Sequence, residues 1–164
     1  GSIIWGLSIN IGNHGVYLFP EFQLGNSYKA DYLLVGKSSG GYEFIFIELE
    51  SPYGNITLKD GQLGAEFRDG ISQLEDWKRW LPANYSSFGE IMRKHKNSAR
   101  DLPEEFYILD MSRFHYVVIS GRRSDFQDKT YIIKRERKKA DDIDIIHYDN
   151  LYDFSNNLIG KLTY

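Results

Sequence analysis

The stretch EFIFIELESP, residues 43–52, decides how the chain is read. From Phe44 to Ile47 it is apolar without polar alternation, which predicts a strand covered on both faces inside a mixed sheet. It then runs into Glu48-Leu49-Glu50 and stops at Ser51-Pro52. Side chains two apart on a strand share a face, so Glu48 and Glu50 project together from the strand's end. Upstream, VYLFPEFQL (16–24) and ADYLLVG (30–36) read as strands separated by GNSYK, and KSSGG (37–41) supplies the next reversal, giving a meander. In that hairpin the start of the second strand lies beside the end of the third, which brings Asp31 next to Glu48 and Glu50. Packed carboxylates raise one another's pKa unless a cation neutralises them, and hard oxygen ligands suit Mg²⁺ or Mn²⁺. A divalent metal is the economical explanation.

Farther along, the period changes. Phe67, Ile71, Leu74, Trp77 and Leu81 recur at spacings of three and four, predicting an amphipathic helix over 63–81 that Pro82 stops. A second short helix is expected over 88–96. FHYVVISG (114–121) reads as another buried strand, DIIHY (144–148) as a weaker one. Leu151, Phe154, Leu158 and Leu162 predict a closing helix.

Composition frames these elements. With 164 residues, 41% hydrophobic and 26% charged, the chain has the size and make-up of one domain with a single core, spanning 1–164. The leading Gly1-Ser2 reads as a cloning scar on a piece cut from a longer protein. The absence of cysteine excludes disulfides and thiolate metal sites. No apolar run of roughly 18 residues and no signal peptide are present, so a cytoplasmic location without membrane contact is expected. The formal charge of −3 does not advertise nucleic-acid binding, though a groove can be basic on an acidic protein.

Asp31, followed across two adjacent strands by Glu48 and Glu50 and then by a helix bearing Gln73, resembles the PD-(D/E)xK nuclease superfamily. FPEFQLGNSYKADYLLV, FIELESP, GISQLEDWKRWL, YVVISGRR and IIHYDNLYD resemble, in order, segments of the C-terminal catalytic domain of the Shedu anti-phage defence nucleases. The resemblance implies an α/β fold with a restriction-endonuclease-like core, a mixed central sheet of about four to five strands flanked by helices. It implies a Mg²⁺- or Mn²⁺-dependent endodeoxyribonuclease, a hydrolase of phosphodiester bonds. Asp31 and Glu48 match the metal-binding acids. Glu50 stands where Lys is usual and could bind metal or take a proton from the attacking water. Gln73 matches a Gln often found on that helix. DNA is the implied partner, and a homo-oligomer could form through this domain or a missing sensor domain. The Glu at the Lys position keeps alive an alternative, a catalytically weakened nuclease-fold domain that binds DNA or a partner protein. A domain serving assembly alone predicts no metal affinity.

Other residues carry weaker signals. Glu21 is a further candidate acid, equally readable as a polar residue of an edge strand. His14, His95, His115 and His147 lack ligand spacing, so no zinc is expected. The basic runs are Lys134, Arg135, Arg137, Lys138 and Lys139, the segment MRKHK (92–96), and Arg122-Arg123. Each suits a solvated face, and together they suit a phosphate-binding groove. Trp5, Trp77 and Trp80 could stack on bases, but at its helical spacing Trp77 belongs to the core. The glycine-rich stretches lack the Lys-Ser/Thr of a phosphate-binding loop, and no serine sits in a nucleophile elbow.

Overall fold

The structure, a computed structural model, describes residues 16–24, 28–38, 41–54, 56–84, 90, 104 and 110–159. Five strands form one open sheet in the order β1 (Val16–Leu24), β2 (Tyr28–Ser38), β3 (Gly41–Leu49), β4 (Phe114–Ile119) and β5 (Ile143–Ile146). The first three are antiparallel, as the two short reversals dictate. β4 and β5 are parallel to β3, because each is reached through a long crossover. The fold is therefore α/β with a mixed sheet, as expected, and β3 is its middle strand.

The uninterrupted apolar run of β3 serves two cores. On one face Phe44 and Phe46 join Phe114, Tyr116, Val118, Ile143 and Ile145 beneath α1 (Ala65–Ala83), whose Phe67, Ile71, Leu74, Trp77 and Leu81 supply the cover. Phe46 stacks on Tyr116 at 5.7 Å between ring centroids and meets Trp77 at 6.2 Å. Tyr131 and Ile133 of α2 (Asp128–Asp141) extend the same layer. On the opposite face Ile45, Val117, Ile119 and Ile146 pack with Ile47 and Leu49 against Tyr148 and Leu151 of α3 (Tyr148–Ile159). Each such side chain contributes about 1.5–3 kcal/mol on full burial, so β3 is fixed in register from both sides.

Several elements differ from the sequence reading. α1 continues through Pro82 to Ala83; the proline falls in the last turn, and Asn84 closes the helix by donating its side-chain amide to the Trp80 carbonyl at 2.9 Å. The basic run 134–139 lies on a full helix, α2, which its sparse apolar residues concealed. α3 starts at Tyr148. The helix expected over 88–96, the MRKHK run, Trp5, His14 and His95 fall outside the described residues, apart from Glu90. Among the described residues no helix is long and apolar enough to cross a membrane.

Candidate active site at the end of the central strand

The last ladder pair between β2 and β3 joins Tyr32 to Ile47, which sets Asp31 across from Glu48. Beyond that pair the Asp31 carboxylate takes over the role of a strand carbonyl: Oδ2 accepts the Leu49 N–H at 2.7 Å. One residue on, the Glu50 N–H donates to the Ile119 carbonyl at 2.8 Å, and the Glu50 carbonyl accepts from the Tyr148 hydroxyl at 2.6 Å. The strand end is thus held from β2, from β4 and from the start of α3.

Phe44, Phe46, Glu48 and Glu50 alternate onto the α1 face, so both acids point at that helix. Gly70 permits the approach: a Cβ there would lie 2.5 Å from Val118 Cγ2 and 3.1 Å from Glu50 Cγ. One helical turn to either side, α1 presents Glu66 and Gln73, with Asp69 beside Gly70.

Electrostatics follow from this crowding. Glu48 is only 6% exposed. Burial, then the charges of Asp31 and Glu50 and a hydrogen bond shared with Asp31, push its pKa up to about 8, while Gln73 pulls it back. Glu50 is lifted to about 7 by burial, then by Glu66, Asp69 and Asp31. The Tyr148 hydroxyl is raised by burial and by Asp31 and Glu50, so it too faces the acids. Glu48 Oε2 is buried with no hydrogen-bond partner. Among the described residues no cationic side chain pairs with Asp31, Glu48 or Glu50.

The donor chemistry fits a hard divalent ion: carboxylate oxygens, an orphaned buried oxygen and unbalanced negative charge. As placed, no group of three or more His, Asp or Glu side chains among the described residues is arranged so that it could hold a metal ion, so the carboxylates would have to move to bind one. Binding would displace the proton that burial favours on Glu48 and draw the carboxylates together.

Of the residues singled out from sequence, Asp31, Glu48, Glu50 and Gln73 come together. Glu21 does not join them; it takes a positive φ of 49°, and its exposed carboxylate pairs with Lys29 at 3.5 Å. The described basic residues do not pair with these acids and are largely engaged elsewhere. Arg122 grips Asp149 through Nε at 3.1 Å and Nη2 at 2.7 Å, and Arg123 pairs with Asp153. Lys134 donates to the Ile145 carbonyl at 2.6 Å. Arg137 meets Asp141 at 3.1 Å and Glu75 at 3.4 Å. Lys138 meets Asp142 at 2.9 Å and Asp144 at 3.2 Å. Arg135 and Lys139 are exposed. His115 pairs with Glu43 at 2.8 Å, and His147 is buried edge-on against Phe126. Trp77 is fully buried. The helical period already places Glu66 and Gly70 on the side of α1 shared with Gln73; sequence reasoning missed Asp69 and Tyr148. The period could have placed Asp69 one turn from Gln73, whereas nothing local ties Tyr148 to residue 50.

The fold and the site define an α/β domain with an uncompensated carboxylate cluster at the C-terminal end of its central strand. Residues 3–152 match the family described as Shedu protein SduA, C-terminal. The chain belongs to that family. No individual curated protein shows a significant match to it.

Proposed function

We propose that this chain is a cytoplasmic anti-phage defence nuclease domain that hydrolyses phosphodiester bonds in DNA with Mg²⁺ or Mn²⁺. The observation that carries the reading is the meeting of Asp31, Glu48 and Glu50 with no cation among the described residues to answer them, one of their oxygens buried and unpartnered. Family membership supports the defence role.

In this reading Asp31 and Glu48 hold the ion, and Glu50 completes its surroundings. A divalent ion bound there supplies positive charge against the scissile phosphate and lowers the pKa of the attacking water. Asp31 is preorganised by the Leu49 N–H. Gln73 orients Glu48 from α1. Glu50, lifted to about 7, stands where a carboxylate can exchange a proton with water near neutral pH.

Glu50 in the place of the superfamily's Lys favours a second reading, a weakened domain that binds DNA or a partner protein without cutting. Incubating supercoiled plasmid with the protein and Mg²⁺ or Mn²⁺, with chelator as control, separates the two. Nicked or linear product that depends on the metal supports hydrolysis. Retarded but intact plasmid supports the second reading, and unbound, uncut plasmid contradicts hydrolysis.

A further inference from the structure

Next to the carboxylates an open cleft of about 390 Å³ is lined by Pro52, Arg122, Tyr148, Asp149 and Tyr152. Tyr148 is the common wall: its ring lines the cleft while its hydroxyl holds the Glu50 carbonyl. Two large aromatics stand out into solvent here, Tyr152 at 67% and Tyr53 at 72% exposure. Tyr53 directly follows Pro52, a residue of the lining, and so stands at the edge of the same cleft. It is also fixed relative to the acids. Ser51, the residue after Glu50, donates its hydroxyl to the Tyr53 carbonyl at 2.6 Å and accepts the Tyr53 N–H at 3.0 Å. Asp149 secures Arg122 through Nε and Nη2, leaving Nη1 outside that pair.

Packing does not require Tyr53 and Tyr152 to stand out here, since such exposed side chains bury little surface. The cleft combines aromatic faces, a restrained guanidinium and a carboxylate. A nucleobase matches all three, because its π-face stacks on tyrosine and its edge carries both donors and acceptors. An aliphatic side chain would leave the Arg122 and Asp149 heads unused.

We propose that this cleft is a nucleobase subsite in which an unstacked base of the DNA strand lies against Tyr152 and Tyr53, beside the phosphate presented to the carboxylates. The inference rests on the proposed nuclease reading and adds how the strand is held. An unstacked base is the occupant because a paired base offers its neighbours, not its face, to a side chain.

The test uses a single-stranded oligonucleotide carrying one 2-aminopurine, with chelator present so that no strand is cut, and a blunt hairpin of the same sequence for contrast. The parent protein is expected to bind the single strand more tightly than the hairpin and to quench the 2-aminopurine. Tyr152→Ala and Tyr53→Ala should each weaken single-strand binding by roughly tenfold, the scale of one lost base–aromatic stack. They should also relieve the quenching, and Tyr→Phe at either position should restore both. Both side chains are exposed, so unchanged melting temperatures are expected and confirm that folding is intact. Alanine variants that bind and quench like the parent overturn the subsite, even where plasmid cleavage persists and the nuclease reading stands. A parent that binds no DNA of any form overturns the subsite together with that reading.

Discussion

Two charged regions of this molecule are built on opposite rules. Along α2 and the 122–153 surface, cations are answered close by: Arg122 by Asp149, Arg123 by Asp153, Arg137 by Asp141 and Glu75, Lys138 by Asp142 and Asp144. At the end of β3, Asp31, Glu48 and Glu50 meet with Glu66 and Asp69 nearby, and no described cation answers them. The first region is largely solvent-facing, where an ion pair is worth about 0–1 kcal/mol. The second includes a nearly buried carboxylate, where an unbalanced charge costs far more. A chain with 20 Lys and Arg against 23 Asp and Glu has cations enough to balance three acids. Among the described residues none of them is placed against the three acids, where imbalance is most expensive, which supports the proposed ion.

The comparison breaks most visibly in activity. Glu48→Gln and Asp31→Asn are expected to reduce metal-dependent plasmid cleavage by at least about a hundredfold, the scale of losing a group that acts in the reaction. Their stabilities should differ from those of the alanine variants. Asp31→Asn keeps an acceptor for the Leu49 N–H, whereas Asp31→Ala strands that donor and should cost about 1–3 kcal/mol, seen as a lower urea midpoint. Gly70→Ala comes next. Its new methyl collides with Val118 and crowds Glu50, so a loss of about 1–3 kcal/mol is expected, as for overpacking elsewhere, together with slower cleavage.

Stability against pH sharpens the same contrast. Glu48 and Glu50 titrate in the folded chain at about 8 and about 7, above the ordinary 4.5. Between these values the folded state holds more protons than the unfolded one, so stability falls as pH rises from 4.5 toward 8. The melting temperature should be higher near about pH 6 than near about pH 8.5, reflecting a stability difference on the order of a few kcal/mol at most. Glu48→Gln should shrink that difference to the part Glu50 contributes. The smallest effect is expected on α2. Neutralising exposed Arg135 and Lys139 should lower the salt slope of DNA binding by up to about two units if both touch phosphate. Lys138→Ala should cost stability instead, by leaving the buried Asp144 without its cation. An unchanged slope removes α2 from the DNA-facing surface.

Much of this was readable from local pattern. The period of two placed Glu48 and Glu50 on one face, the KSSGG reversal brought Asp31 beside them, and the uninterrupted apolar run marked β3 as the middle strand. The period of 3.6 gave α1, while Gln73 was singled out by the resemblance and only placed on α1 by that period. What stayed hidden depends on contacts between distant segments. Tyr148 reaches Glu50 only because β5 lies parallel beside β4. Gly70 reads as a weak point in a helix until the sheet beneath it is known. The acids that answer Arg122 and Arg123, Asp149 and Asp153, lie on α3, which is why the basic runs looked freer in sequence than they are.

The central claim is that the acids at the end of β3 are balanced by an external divalent ion. Calorimetric titration of Mn²⁺ into the protein near neutral pH, repeated in buffers of different ionisation enthalpy, tests it most directly. The account predicts saturable binding with proton release, because a carboxylate titrating at about 8 must give up its proton to the ion. Glu48→Gln should reduce that release to the part Glu50 contributes and weaken binding by an order of magnitude or more. A parent protein that binds no Mn²⁺, or a Glu48→Gln variant that binds it with the same affinity and the same proton release, would contradict the claim.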